Sequence, residues 1–73
     1  MYVILRGSGV AAAFHTEAEA LTTIRLAYEA HGRAYASRYS LVAEDGQGNS
    51  TPLASGEALV DRALAETRGA EAG

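Results

Sequence analysis

The chain has 73 residues, a net charge of −3 and no cysteine. This length allows one domain with a small core, and the missing cysteines exclude disulfides and thiolate metal sites as extra stabilisation. The acidic balance disfavours a general nucleic-acid binder, because neutralising phosphates requires a basic surface. The sequence has no apolar run of about 18 residues and no signal-peptide pattern, so we expect no membrane partner and a cytoplasmic location.

The first half begins with a predicted hairpin. Tyr2–Arg6 is aromatic and β-branched, which favours a strand, and a Gly-Ser-Gly turn follows it. Val10–His15 is predicted to return as a second strand, with Val10, Ala12 and Phe14 on one face. Alanine has little preference for sheets, so the alternative is that this stretch is a loop and the fold is βαββα.

A helix is predicted over Glu17–His31. Thr16 and Glu19 match a capping box, and Gly32 stands where a left-handed C-terminal cap belongs. Leu26 lies opposite the apolar stripe and is a candidate oligomer contact. The stripe itself is expected to comprise Ala20, Leu21, Ile24, Ala27, Tyr28 and His31, with His31 half-buried.

The second half repeats the arrangement. Arg33–Arg38 is compatible with a linker or an early strand, and Tyr39–Glu44 alternates as a strand. After a turn rich in Gly and Asx residues, Ser50–Ala54 returns as an edge strand, because Pro52 cannot donate to a ladder. A second helix is predicted over Gly56–Thr67. Its buried stripe should comprise Leu59, Val60, Ala63, Leu64 and Thr67, and residues 69–73 should form a disordered tail after a domain of residues 1–68.

A weak internal sequence repeat, which we call the echo, supports this architecture. Glu19-Ala20-Leu21 recurs 38 positions later as Glu57-Ala58-Leu59, and Val3–Leu5 aligns with Leu41–Ala43 at the same offset. We therefore predict an α+β two-layer sandwich, ββαββα, with a four-stranded antiparallel sheet and two helices on one face. The other face, which carries residues such as Val3, Leu5 and Val42, would be thinly covered unless a second copy packs on it.

No residues combine into a motif for chemistry. The two histidines stand at opposite ends of the first helix, too far apart to share an ion. The serines fall at turns, strands and caps without a nucleophile elbow, and the helix macrodipole explains glutamates in first helical turns. We expect no enzyme activity, no catalytic residues, no metal and no cofactor.

Residues 33–39, the Arg/Tyr segment, concentrate positive charge and aromatic rings in Arg33, Tyr35, Arg38 and Tyr39. Such residues anchor protein interfaces and also suit nucleic acid. The plainer interpretation is that the tyrosines pack under the helices and the arginines are solvated. The interface candidates are Leu26, Arg33, Tyr35, Arg38, Tyr39, Val3, Leu5 and Val42.

The run Thr16–Leu21, the helix end His31–Arg33 and the stretches Leu41–Gly46 and Leu53–Glu57 are together similar to small uncharacterised hairpin–helix domains of GC-rich bacteria. The resemblance covers residues 2 to about 67, implies a stand-alone cytoplasmic domain and supplies no catalytic residues. Thr16–Leu21 also resembles the helix of antitoxin domains with a partial ribonuclease-H-like fold. Those domains place three strands before the helix, where this chain has room for two.

The leading hypothesis is a non-enzymatic, homo-oligomeric interaction module, expected as a homodimer, that binds itself or another protein. The thin core, Leu26 and the Arg/Tyr segment motivate it. The alternative is an antitoxin-like or regulatory module that contacts nucleic acid through Arg25, Arg33 and Arg38.

Overall fold

The computed structural model describes the backbone of residues 1–72 and the side chains of residues 1–66. Four strands form one antiparallel sheet in the order β2-β1-β3-β4, so the predicted α+β fold with element order ββαββα is confirmed. The elements are β1 (Tyr2–Arg6), β2 (Gly9–Phe14), α1 (Glu17–His31), α2 (Arg33–Ala36), β3 (Tyr39–Glu44), β4 (Ser50–Ser55) and α3 (Gly56–Ala72).

The helix boundaries follow local signals. The Thr16 hydroxyl accepts a hydrogen bond from the Glu19 N–H at 3.2 Å and donates one to the Glu19 carboxylate at 3.0 Å, which closes the predicted capping box through side chains. Gly32 has a φ of 90° and its N–H donates to the Tyr28 carbonyl at 2.8 Å, as predicted for the C-terminal cap of α1. The predicted C-terminal disordered tail, residues 69–73, and the stripe residue Thr67 lie outside the fully described residues.

The stretch after Gly32 is not an extended linker or an early strand. It contains the one-turn helix α2, in which the Ala36 N–H donates to the Gly32 carbonyl at 3.1 Å and the Ser37 N–H donates to the Arg33 carbonyl at 2.8 Å. Small and flexible Gly32 allows α1 to end and α2 to begin at once, because its left-handed backbone turns the chain sharply. The turn brings Tyr35 back towards the end of the sheet.

One core cluster holds the two layers together. Seven side chains form it, two of them alanines, and both long helices contribute, so α1 and α3 lie on the same face of the sheet. His31 is exposed rather than half-buried, because it is the last residue of α1 and its ring packs on Tyr35 instead of the core. The cluster comprises Ile4, Ala20, Leu21, Ile24, Leu41, Leu59 and Ala63.

Each hairpin contains a one-residue bulge on its edge strand. Ile4 pairs with Ala12 and Leu5 with Val10, which leaves Ala11 without a partner. Val10 therefore shares a face with Leu5, and the prediction that it faces the same way as Ala12 and Phe14 is wrong. The second hairpin has the equivalent shift between Leu41 and Val42, and Pro52 lies on an edge strand as predicted.

The two hairpin–helix units are arranged with approximate twofold symmetry, but not at the offset of the sequence echo. Ile4 and Leu41, which precede the two bulges, are 37 positions apart. The buried helix residues correspond at an offset of 39, since Ala20, Leu21 and Ile24 match Leu59, Val60 and Ala63. At the echo's offset of 38, core-facing Ile4 would align with Val42, which faces the opposite way. The two structural units therefore correspond, but the echo's offset of 38 is one residue too long for the strands and one residue too short for the helices.

Candidate functional site

The side of the sheet away from the helices, which we name the open face, carries ten residues of the four strands. Strand alternation and the register place them together, opposite the core-facing residues Tyr2, Ile4, Phe14, Leu41 and Ala54. The helical members of the core cluster all pack on that other side. The open face comprises Val3, Leu5, Val10, Ala13, Ser40, Val42, Glu44, Ser50, Pro52 and Ser55.

Burial varies strongly across the open face. Val3 is only 3% exposed, because it lies on a central strand between Ala13 and Val42, and Leu5 and Val42 are half-buried. Val10, in contrast, is 68% exposed. The structure thus brings the predicted residues Val3, Leu5 and Val42 together, and it adds Val10, which was predicted to share a face with Ala12 and Phe14.

One of these residues is charged: Glu44 at the end of β3, whose carboxylate accepts a hydrogen bond from the Ser50 hydroxyl at 3.4 Å. The backbone of Met1 continues β1 alongside Glu44, with hydrogen bonds of 2.9 and 2.7 Å. By alternation Met1 extends the open face, and it is 56% exposed. The face is therefore an apolar strip that ends in polar groups.

A second surface lies at the end of the sheet where α2 packs. We name it the Arg–Tyr cluster, consisting of Arg6, His31, Tyr35 and Tyr39. The Arg6 guanidinium lies 5.3 Å from the centre of the Tyr35 ring and 6.0 Å from that of Tyr39. The Tyr35 ring also contacts His31, with 4.4 Å between ring centres. The cluster is assembled from β1, α1, α2 and β3.

The two tyrosines of the cluster are joined through their hydroxyls. The Tyr39 hydroxyl donates to the Tyr35 hydroxyl at 3.1 Å, and the ring centres are 5.8 Å apart in an edge-on arrangement. The hydrogen bond to Tyr35 raises the pKa of Tyr39 above its ordinary value, desolvation adds to this, and the positive charge of Arg6 opposes it. Tyr39 is therefore held in its neutral form.

Arg33 does not join this cluster. Its guanidinium pairs with Glu57 at 3.2 Å and with Asp61 at 3.1 Å, which ties α2 to α3, and it lies 5.9 Å from the Tyr28 ring centre. The hydrogen bonds to Asp61 and then Glu57 raise the pKa of Arg33 further. The Arg/Tyr segment is therefore divided, with its tyrosines at the sheet end and its first arginine paired with carboxylates of α3.

The remaining predicted residues lie apart. Arg38 is exposed, and no carboxylate whose side chain the structure describes is within ion-pair distance of it. Leu26 is 58% exposed on α1. The sequence analysis missed Arg6. Arg6 could have been found by pairing the two central strands, β1 and β3, because that pairing places Arg6 opposite Tyr39.

Among the described residues no group of three or more histidine, aspartate or glutamate side chains is arranged to hold a metal ion. Within that same part of the chain, no helix combines the length and apolar content that crossing a bilayer requires. Comparison with protein-family models finds no match, and comparisons with curated proteins and with solved structures find none either.

Proposed function

We propose that the protein is a non-enzymatic interaction module that forms a homodimer through its open face. One observation carries the proposal: the side of the sheet that the helices leave uncovered has an apolar centre, with its one charge, Glu44, at a strand end. An antiparallel sheet often keeps one face in water, but that face then carries polar side chains. Valine, leucine and proline in those positions favour contact with another apolar surface.

The size of the face suits a small dimer. The molecule measures 35 × 27 × 16 Å, so each of its broad faces covers several hundred square ångströms. A stable protein–protein interface buries about 800 Å² on each partner. Most of one broad face would have to take part, which includes the exposed side chains of Met1 and Val10 at its rim.

A second copy of this chain is the occupant that the face fits best. The apolar centre of the face offers no charge pattern with which to select a different protein, and a twofold contact would bring the same apolar patch of each copy together. The core cluster of seven side chains is also small, so burying the other side of β1 and β3 would add apolar contact around Val3, Leu5 and Val42. Within this proposal the dimer acts in the cytoplasm.

The test compares two charge insertions by sedimentation equilibrium. Val10→Glu places a carboxylate on the open face, and Leu26→Glu places one at a similarly exposed apolar position on α1. We expect the unmodified protein to be a dimer at micromolar concentration, Val10→Glu to be a monomer and Leu26→Glu to remain a dimer. Circular dichroism would check that both variants are folded.

Two results would reject the proposal. An unmodified protein that stays monomeric up to about 100 µM has no interface of biological strength on this face. Loss of the dimer in Leu26→Glu, with the dimer retained in Val10→Glu, would place the contact on the helices instead.

The nucleic-acid alternative gains no support from the positions of its arginines. Arg25 pairs with Glu29 at 3.5 Å, and Arg33 pairs with both Glu57 and Asp61. A phosphate backbone would have to displace these carboxylates before either arginine could bind it. Of the three arginines in that hypothesis, only Arg38 has no described carboxylate beside it.

A further inference from the structure

Arg6 differs from most arginines of this acidic chain. Arg25, Arg33 and Arg62 each pair with at least one carboxylate, Arg62 with both Glu17 and Glu66. For Arg6, the part of the chain with described side chains provides no carboxylate within ion-pair distance. Its neighbours are the rings of Tyr35 and Tyr39. Arg6 is thus an exposed cation held by two tyrosines, through ring contacts and a hydrogen bond with Tyr39.

The manner in which Arg6 is held leaves its hydrogen-bond donors available. A guanidinium has five N–H groups in one plane, and the hydrogen bond with Tyr39 does not occupy all of them. Lying beside two rings also restricts the side chain, so less entropy is lost when a ligand binds. An arginine that is fixed in this way is ready to bind an acceptor with two or more oxygens.

Further donors surround Arg6. In the contact between the Tyr35 and Tyr39 hydroxyls, one O–H donates and the other O–H remains free to donate elsewhere. His31, whose ring packs on Tyr35, adds an imidazole N–H at the rim of the same cluster. A guanidinium, a phenol and an imidazole together present donors and no fixed negative charge.

We propose that the Arg–Tyr cluster binds the phosphate group of a small molecule. A phosphate offers three or four oxygens at negative charge, which matches several donors from different side chains better than the two oxygens of a carboxylate do. Arg6 binds two of the oxygens through its N–H groups, and the free tyrosine hydroxyl binds a third. The cluster lies on the helix side of the sheet end, so this proposal is independent of the dimer on the open face.

The experiment is a titration followed by NMR of the Arg6 amide and the tyrosine ring protons. Inorganic phosphate and AMP are the probes, with acetate and chloride at matched ionic strength as comparisons. We expect saturable shifts at Arg6, Tyr35 and Tyr39 with the two phosphate compounds. If AMP binds more tightly than inorganic phosphate, the ligand is a phosphate carried on an aromatic molecule. If the two bind equally, the ligand is free phosphate. Both results support the proposal.

Variants locate the binding. Arg6→Gln should weaken phosphate binding by about tenfold or more, the loss of one charged hydrogen bond, whereas Arg25→Gln should leave it unchanged. Arg6→Lys retains the positive charge but lacks the planar guanidinium, so it should bind phosphate with intermediate affinity. It replaces Arg6→Gln in the test if that variant does not fold. The proposal would be overturned if chloride or acetate caused the same NMR shifts as phosphate. It would also be overturned if both Arg6 variants bound phosphate with unchanged affinity.

Discussion

Ile4 and Leu41 pair directly across the two central strands, and each is almost completely buried beneath the helices. They occupy equivalent positions in the two hairpin–helix units, each just before a bulge in its own hairpin. The two units therefore share one centre, and a change at either residue should weaken both halves of the molecule together.

We predict that Leu41→Ala lowers the free energy of unfolding by about 2–5 kcal/mol, because it leaves a cavity where α1, α3 and the sheet meet. Leu26→Ala, at an exposed position on α1, should change it by no more than about 0.5 kcal/mol. Urea unfolding with an unchanged denaturant slope measures both. Equal costs for the two substitutions would contradict the assignment of Leu41 to the core.

Gly32 gives a second prediction, about the turn between α1 and α2. Its φ of 90° is strained for any residue with a side chain, so Gly32→Ala should cost about 1–3 kcal/mol even though nothing lies within 4 Å of the added Cβ. Gly46→Ala is the matched control, since that site is equally open and its φ lies outside the left-handed region. Thermal unfolding of the pair distinguishes backbone strain from lost contacts.

The tyrosine pair predicts a shifted titration. Tyr39 should ionise above the ordinary tyrosine pKa, because its neutral hydroxyl donates to Tyr35. Since the pKa of Tyr39 is raised in the folded state, its contribution to stability is present below about pH 10 and lost as the pH rises through the folded value. Ultraviolet titration should show one tyrosine that ionises late, and Tyr35→Phe should return it towards the ordinary range.

The Asp45–Asn49 turn predicts sensitivity to acid. The Asp45 carboxylate accepts hydrogen bonds from the Gln47 N–H at 2.7 Å, the Asn49 N–H at 3.0 Å and the Asn49 side-chain amide at 3.1 Å. These bonds, the one from Gln47 first, lower the pKa of Asp45. The resulting stability is present above the unfolded pKa of about 3.9 and lost as the pH falls through the lower folded value.

We therefore expect the stability difference between the unmodified protein and Asp45→Asn to be largest near neutral pH and to shrink below about pH 4. Urea unfolding at several pH values measures this difference. A difference that stays constant across this range would show that the carboxylate charge does not contribute to the turn.

Local signals in the sequence were sufficient for the architecture. The Thr16 cap, the Gly32 cap and Pro52 on an edge strand each depend on a few neighbouring residues, and the structure contains all three. The buried stripes also follow local periodicity: Ala20, Leu21 and Ile24 of α1 and Leu59, Val60 and Ala63 of α3 are buried as predicted, whereas His31 is exposed. These features are set by backbone chemistry within one or two turns of chain.

What the sequence did not reveal depends on partners distant along the chain. A bulge is a property of two strands at once, so nothing in the alanines of β2 indicated that Val10 would face away from Phe14. Arg6 meets its tyrosines because β1 and β3 are paired, and Arg33 leaves them because Glu57 and Asp61 lie on α3. Both candidate surfaces were consequently misjudged in part.

The bulge at Ala11 gives the alanine triplet of β2 a meaning of its own. Regular alternation would place Val10 and Phe14 on the same side of the sheet. The unpaired residue Ala11 shifts the register, so Val10 faces one side and Phe14 the other. Deleting Ala11 would remove the bulge and leave a regular ladder, in which Val10 still pairs with Leu5 and Ala12 with Ile4. Replacing exposed Ala11 by another small residue would keep both the bulge and the two faces.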